Sequence, residues 1–136
     1  MAKGYDTHKA RLQALSLFGK DLARRAKSKC ELSGESGVPL KIYEVPPFAN
    51  EPDYASCLLL SESVIDQINK PNSINATKWR GVLAELIWSE LQLQQVMAYR
   101  ILQYLTQSEI WAQEIIADTY LDEDIIEWAK KAPLCD

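Results

Sequence analysis

From Ser61 to the end of the chain, apolar residues recur every three or four positions, and this periodicity constrains the fold more than any other feature. Such spacing places apolar side chains along one face of a helix. The pattern predicts five helices, which begin near Ser61, Thr77, Leu93, Ser108 and Asp122. Ser61 and Thr77 are expected N-caps, and Pro71 ends the first of these helices. The third is apolar on more than one side, so we expect it to be buried.

A further helix is predicted from Thr7, its expected N-cap, to Ser28. Its apolar residues form one stripe: Leu12, Leu15, Phe18, Leu22 and Ala26. Four basic residues project roughly from the opposite side and form a candidate partner-binding face: Lys9, Lys20, Arg24 and Lys27. Residues 1–29 carry eight Lys or Arg against two Asp, a net charge of +6, and the remainder has a net charge of −10. A basic arm on an acidic body can steer an anionic partner or pair with its own body.

Between these helical regions the pattern changes to that of a small hairpin. Turn residues at 33–37 precede an alternating stretch, Leu40 to Val45, which Pro46-Pro47 ends because proline cannot donate to a strand ladder. Cys57 to Leu60 is short and wholly apolar, which indicates a second strand. We expect Leu40, Ile42 and 58–60 to form a small apolar core under this hairpin.

The chain therefore predicts an α+β fold, mostly a helical bundle with a small β-hairpin. Its 136 residues suit a single domain, 1–136. Within it we expect a basic N-terminal helix over 1–29, a hairpin over 30–61 and a helical part over 62–136. The four tryptophans, Trp79, Trp88, Trp111 and Trp128, fall at apolar positions of predicted helices, so core packing is their expected role, with an aromatic cleft as the alternative.

Few residues suit catalysis at neutral pH. The one histidine, His8, lies near the start of the first helix and is expected to be solvated, with a ligand or base role as the alternative. Five glycines and no glycine-rich phosphate loop argue against nucleotide binding. The acidic residues 122–124 and Glu127 suit a helix N-terminus, where negative charge is favourable, better than a Mg²⁺ or general-acid site. Glu85 and Glu90 flank Trp88 and are expected to be polar groups at a helix junction. We therefore predict no catalytic residues and no cofactor.

Three widely spaced cysteines, Cys30, Cys57 and Cys135, argue against a disulfide framework and favour a reducing compartment. No apolar stretch is long enough for a membrane span, and the N-terminus lacks the apolar core of a signal peptide. We expect a cytoplasmic protein that does not associate with a membrane. Cys30 and Cys57 lie at the edges of the hairpin region without Cys-x-x-Cys partners, so buried neutral thiols are expected, with a metal or redox role as the alternative.

A series of short motifs resembles the N-terminal half of the bacterial-type PhnA-like proteins, a family named for a phosphonate-utilisation operon. The similarity runs from about Ala23 to Ala132. Its landmarks are residues 30–34 (CELSG), 43–47 (YEVPP), 79–80 (WR), 88–90 (WSE), 96–100 (VMAYR), 111–113 (WAQ), 120–123 (YLDE) and 128–129 (WA).

This resemblance implies a zinc-ribbon-like hairpin with two Cys-x-x-Cys turns. The family's ligand positions correspond to Cys30 and Ser33 in the first turn and to Ser61 and Val64 in the second. Only Cys30 is a thiol, so we expect a degenerate, metal-free ribbon with vestigial positions and no metal.

We expect a PhnA-like, non-enzymatic binding or interaction module; the sequence does not identify its partner, for which a protein is one candidate. One alternative is a nucleic-acid-binding protein, against which the sequence pI of about 5.1 argues. The other is an enzyme or accessory factor of phosphonate metabolism, which only the family resemblance implies.

Overall fold

A computed structural model describes the backbone of residues 2–136 and the side chains of residues 8–136. Within that range, the chain forms seven α-helices and one antiparallel hairpin. The elements are α1 (Ala2–Ser16), α2 (Gly19–Ala26), β1 (Leu40–Glu44), β2 (Cys57–Ser61), α3 (Glu62–Asn69), α4 (Ala76–Leu86), α5 (Gln92–Leu105), α6 (Ile110–Ala117) and α7 (Glu123–Lys130). The predicted mostly helical α+β fold with one small hairpin is confirmed. None of the helices in residues 2–136 has both the length and the apolarity of a membrane span.

The N-terminal region forms two helices, so the prediction of one helix from Thr7 to Ser28 is wrong. The chain turns at residues 17–18, just before Gly19, a residue that disfavours helix interiors. This turn lets Phe18 pack edge-on against Tyr54, with 6.0 Å between ring centroids. Thr7 lies within α1 and is not its N-cap.

The predicted apolar stripe divides at the same turn. Leu22 of α2 is fully buried, whereas Leu12 of α1 is 53% exposed. Beyond α2, Lys27 and Ser28 both adopt left-handed backbone conformations, with φ of 55° and 59°. These two residues redirect the chain into the loop that precedes β1.

The hairpin forms where alternation predicted it. Its register pairs Leu40 with Ser61, Ile42 with Leu59 and Glu44 with Cys57. All five residues of β2 are buried because both faces of the sheet are covered. Paired residues of an antiparallel ladder share a face, so successive residues of β2 point alternately to two different cores.

These two cores are separate apolar clusters. In the larger cluster, Leu58 and Leu60 pack with the helical part of the chain. In the smaller cluster, Cys57 and Leu59 pack with Leu22 of α2. The expected single core under the hairpin is therefore divided between the two faces of the sheet.

Helix α5 is the centre of the larger cluster and is buried on several sides, as predicted. It contains neither glycine nor proline, and nine of its residues are buried. Helices α4, α6 and α7 pack around it. The predicted start of α3 is confirmed, since the Ser61 hydroxyl accepts a hydrogen bond from the Val64 N–H at 3.3 Å.

Two other predicted helix starts are wrong. The side chain of Asn75, not Thr77, caps α4, where its Oδ1 accepts from the Lys78 N–H at 3.2 Å. Helix α6 begins at Ile110, two residues after Ser108. Side-chain caps compete locally, and Asn is at least as good a cap as Thr.

The tryptophans do not share one environment. Trp79 is buried, and its Nε1 donates to Gln67 Oε1 at 2.8 Å. Trp111 and Trp128 are half-buried against the larger cluster. Trp88 is 60% exposed, so its predicted core position is wrong. It follows the end of α4, where helical periodicity no longer determines which side chains face the core.

Candidate functional site

The four positions that the PhnA-like resemblance marks as ligands lie in two turns beside the hairpin. Cys30 and Ser33 occupy the turn that precedes β1, where the Ser33 N–H lies 3.5 Å from Cys30 Sγ. Gly34, at φ 81°, closes this turn as its N–H donates to the Cys30 carbonyl. Ser61 and Val64 occupy the junction of β2 and α3.

One carboxylate joins the two turns. The hydroxyls of Ser33 and Ser61 donate to the same oxygen, Oε1 of Glu35, at 3.0 and 3.3 Å. The Ser61 hydroxyl also accepts the Val64 N–H that begins α3. Hydrogen bonds between protein groups therefore stabilise each turn and link one turn to the other.

The Cys30 thiol is buried, 2% exposed, and it receives several hydrogen bonds. Burial opposes its ionisation, but hydrogen bonds from Ser33 and from the backbone of Ser61 and Leu32 bring the pKa of Cys30 below its ordinary value. A sulfur surrounded by N–H and O–H donors is what a zinc-binding turn presents. However, Cys30 is the only thiolate donor among the four positions.

This donor set does not fit a structural zinc ion. Such sites use four Cys or His ligands, and here two hydroxyls and the side chain of Val64 replace three of them. Among residues 8–136, no group of three or more His, Cys, Asp or Glu side chains could hold a metal ion. The side chains at these positions support the packing of the two turns.

A second polar cluster lies next to the first turn and fastens α2 to the hairpin. Glu31, 8% exposed, accepts hydrogen bonds from Nε and NH2 of Arg25 at 2.9 and 2.7 Å. The same Arg25 NH2 donates to the Cys57 carbonyl at 2.7 Å, and the guanidinium lies 5.1 Å from the centre of the Tyr54 ring. Arg25 therefore contacts the outer edge of β2 and the small apolar cluster together.

Sequence reasoning missed this cluster. Arg25 appeared only as one basic residue among eight, and Glu31 as part of a motif. The two are six residues apart across the left-handed turn, which no helical or strand periodicity relates.

The four residues of the predicted basic face are all exposed. Lys20, Arg24 and Lys27 lie on α2 and its C-terminus, on the side away from buried Leu22. Among residues 8–136, the Arg24 side chain makes only a surface ion pair with Asp21, at 3.7 Å. Lys9 lies on α1, a separate helix, so only three of the four share one helical surface.

Of the cavities that border α2, two lie next to the Cys30 turn and to β1. One of about 330 Å³ lies beside the Cys30 turn and is lined by residues that include Arg25, Cys30, Ser33 and Glu85. The other, about 540 Å³, is a groove between α2 and β1 with a mainly apolar lining. The lining residues of this groove are Gly19, Ala23, Ser28, Gly37, Val38, Leu40, Ile42 and Leu59.

The buried thiol of Cys57 lies near several charges. Burial is the main cause that raises the pKa of Cys57 to about 11. The carboxylates of Glu44 and Asp53 act in the same direction, and Arg25 and Arg11 oppose them. Its thiol lies 3.4 Å from the Asp53 carbonyl oxygen, to which it donates. Cys57 is therefore a protonated thiol at neutral pH.

Arg100 is a structural residue at the centre of the fold. It is 2% exposed, and its guanidinium donates to the carbonyls of Pro46 at 2.6 Å, Trp128 at 2.8 Å and Ala129 at 3.0 Å. Burial lowers the pKa of Arg100. These bonds join the end of β1 to α5 and to the last turn of α7, whose carbonyls favour a cation.

Among residues 8–136, no hydrogen bond or ion pair joins Arg100 to Arg80, Glu85 or Glu90. Arg80 lies over the Trp111 ring, with 5.6 Å to its centre, and Glu85 borders the smaller cavity. Glu90, His8, residues 122–124 and Glu127 are exposed, the last four near the start of α7.

Comparison of the chain with protein-family models, with curated proteins and with solved structures finds no match.

Proposed function

We propose that this chain is a non-enzymatic interaction module that binds an acidic protein partner through α2. One observation carries the proposal: Leu22 and Arg25 hold one side of α2 on the hairpin, so Lys20, Arg24 and Lys27 are presented on a firmly anchored helix. A preorganised basic surface loses little conformational entropy when an anionic partner binds.

The roles of the other charged groups support the same proposal. Arg25, Glu31 and Arg100 are engaged in contacts between elements, and Glu44 accepts two hydrogen bonds from Arg11, at 3.0 and 2.5 Å. Lys20, Arg24 and Lys27 are exposed, and among residues 8–136 the only ion pair that these three side chains form is the surface pair of Arg24 with Asp21. This distribution favours recognition of a partner over acid–base chemistry.

The proposal includes membership of the PhnA-like family with a degenerate ribbon. The support is the contact of Ser33 and Ser61 through Glu35, which brings together the two turns that the resemblance marks as ligand turns. A degenerate ribbon would retain this arrangement of turns without the metal.

Nucleic acid is the second candidate partner because the same basic surface could contact phosphates. A duplex carries one negative charge per about 1.7 Å, so a long duplex would also run along the acidic remainder of the chain. A short acidic segment of a protein needs to contact α2 only. This difference favours the protein partner.

Fluorescence anisotropy at two salt concentrations tests the proposal with labelled polyglutamate, duplex DNA and single-stranded RNA. We expect polyglutamate to bind, and the triple variant Lys20→Gln, Arg24→Gln, Lys27→Gln to bind at least about tenfold more weakly. The matched control is Lys130→Gln with Lys131→Gln, two exposed lysines at the end of α7, which should bind as the native chain does. Tighter binding of duplex, with a log–log salt slope near −0.9 per phosphate, would favour the nucleic-acid alternative. Absence of binding to all three polymers would disprove the proposal.

A further inference from the structure

The outer edge of β1 carries backbone groups directed away from β2. The backbone N–H and C=O of Leu59 in β2 point away from β1. The N–H donates to Glu31 Oε1 at 2.9 Å, and the C=O accepts from the Glu31 N–H at 2.8 Å. Leu59 is opposite Ile42, so these two residues form a non-hydrogen-bonded pair of the antiparallel ladder. The N–H and C=O of Ile42 therefore also point outward, on the other side of the sheet.

The same alternation applies along the whole strand. The Val45 N–H donates inward to the Ser56 carbonyl at 2.8 Å, which fixes the odd-numbered residues 41, 43 and 45 as those that face β2. Leu40, Ile42 and Glu44 face outward. Within residues 8–136, no hydrogen bond is made by the backbone of these three outward-facing residues.

The two edges of the hairpin thus differ. The outer edge of β2 is covered, because Glu31 pairs with Leu59 and Arg25 donates to the Cys57 carbonyl. The outer edge of β1 has no hydrogen-bond partner among residues 8–136. An unpaired edge of this kind is a template for another strand, and native proteins commonly cover or charge such edges.

The apolar groove lies on the face of the sheet next to this free edge. Helix α2 packs mainly against β2, through Leu22, and leaves part of Leu40 and Ile42 uncovered. Gly19 keeps the groove open: a Cβ at that position would lie 3.8 Å from Ile42 Cδ1, and any longer side chain would extend into the groove. A strand added to β1 would direct every second side chain toward this apolar surface.

Charge selects the occupant of the edge and groove. The α2 residues that line the groove, Gly19 and Ala23, are flanked by the exposed Lys20 and Lys27. The carboxylate of Glu44 at the end of the strand is neutralised by Arg11. A second copy of this chain would bring its own Lys20 and Lys27 to the same place, where like charges repel. An extended segment with alternating apolar and acidic residues complements both the groove and its rim.

We propose that the free edge of β1 binds an extended apolar–acidic segment of a partner protein by strand addition, with its apolar side chains in the groove and its carboxylates on Lys20 and Lys27. This inference rests on the proposed function and names its binding site and partner class. Backbone hydrogen bonds would supply affinity, and the groove would supply specificity, as in other cases of strand addition to a sheet edge.

The probe is a short labelled synthetic peptide in which valine and glutamate alternate. We expect saturable binding in fluorescence anisotropy. By nuclear magnetic resonance, we expect amide exchange at Ile42 to slow at least about tenfold when the peptide binds. The amide of Tyr43 faces β2 and serves as the internal control, since it is already paired in the free protein. A peptide with N-methyl groups on alternate residues cannot donate from one edge and should bind at least about tenfold more weakly.

Matched variants distinguish the contribution of the groove to peptide binding from that of the basic residues. Gly19→Leu fills the groove and should weaken peptide binding at least about tenfold. Gly81→Leu is its control and should bind normally, because Gly81 lies in α4 and a Cβ there would have no heavy atom of another element within 4 Å. The double variant Lys20→Glu, Lys27→Glu should prefer a peptide that alternates valine and lysine. Circular dichroism establishes that each variant is folded.

Several outcomes would overturn the inference. Unchanged exchange at Ile42, equal binding of the N-methylated peptide or normal binding by Gly19→Leu would each do so. If polyglutamate binds but the alternating peptide leaves Ile42 unprotected, the inference fails and the proposed function stands. If neither binds, both fail. Protection of Ile42 that grows with protein concentration alone would identify a second copy as the occupant, and a duplex that binds more tightly without protecting Ile42 would identify nucleic acid.

Discussion

Glu31 and Leu59 exchange two hydrogen bonds although Glu31 lies in a loop: the Glu31 N–H donates to the Leu59 carbonyl at 2.8 Å, and the Leu59 N–H donates to Glu31 Oε1 at 2.9 Å. The Glu31 side chain thus supplies the hydrogen-bond acceptor that a third strand would provide at the outer edge of β2. Because the same carboxylate binds Arg25, one residue satisfies the edge of β2 and anchors α2.

Glu31→Ala should lower the free energy of unfolding by about 2–3 kcal/mol, because it leaves the buried Leu59 N–H and the Arg25 guanidinium without their acceptor. Glu31→Gln retains one acceptor oxygen and should cost less. Urea denaturation measures both. Glu85→Ala is the control at an exposed carboxylate and should change stability by no more than about 0.5 kcal/mol. Equal effects of the alanine substitutions at 31 and 85 would contradict the assigned role.

Leu59→Ala should destabilise the protein by about 2–4 kcal/mol, since Leu59 is 6% exposed and fills the small cluster with Leu22. Its melting temperature should fall clearly. Leu17→Ala is a suitable control because Leu17 is 79% exposed. An unchanged melt for Leu59→Ala would mean that α2 is held by its polar contacts alone.

Arg100→Met should cost about 3 kcal/mol, because the carbonyls of Trp128 and Ala129 lose a charged donor in the protein interior. The Pro46 carbonyl retains a hydrogen bond from Trp128 Nε1 at 3.1 Å. Arg24→Met removes an exposed arginine and should have an effect within about 0.5 kcal/mol. Chemical denaturation of the two variants provides the comparison, and similar stabilities would refute the structural role of Arg100.

The stability of the fold should decline at high pH in part through Cys57. Its thiol loses a proton near 9.0 in the unfolded chain but near 11 in the folded one, so the unfolded state is deprotonated first. The stabilising contribution is complete below pH 9 and is lost as the pH rises from 9 to 11. Denaturation of Cys57→Ala at several pH values should show a shallower decline than that of the native chain. Parallel curves would contradict the raised pKa.

The degenerate-ribbon hypothesis predicts that thiols at three positions would create a zinc site. We expect the native chain to contain no stoichiometric zinc and to keep its fold in a chelator. The variant Ser33→Cys, Ser61→Cys, Val64→Cys should bind about one zinc ion per chain through four thiolates and melt at a higher temperature. Elemental analysis measures the metal, and the same variant with Cys30→Ser is the control. Absence of zinc in the triple variant would count against the ribbon geometry and the family resemblance.

The elements with strong periodicity could be predicted from the sequence, and those whose boundaries depend on local competition could not. The alternation of Leu40 to Glu44 and the apolar run at 57–60 located the hairpin, and the dense apolar pattern of α5 located the buried helix. The turn before Gly19 was missed because the apolar stripe continues through it, and tertiary contact of Phe18 with Tyr54 decides the backbone there.

The candidate site was less predictable for a physical reason. The exposure of Lys20, Arg24 and Lys27 follows from helical spacing, but the predicted four-residue face was only partly right because Lys9 lies on a separate helix. The free edge of β1 could not be predicted, because it depends on which residues of the ladder face outward and on Glu31 covering the opposite edge. Similarly, nothing in the spacing of Ser33, Glu35 and Ser61 indicates that one carboxylate receives both hydroxyls.

The division of the apolar residues into two clusters has a consequence for how the molecule opens. The smaller cluster has few buried residues, whereas β2 is also anchored in the larger cluster through Leu58 and Leu60. We therefore expect α2, although anchored in the folded state, to open at a lower free energy than the rest of the chain. Cleavage by a protease should then begin near the left-handed residues Lys27 and Ser28. A partner bound to α2 and β1 would shift the equilibrium toward the closed form of this region by mass action. It would thereby slow the cleavage without any change in the larger cluster.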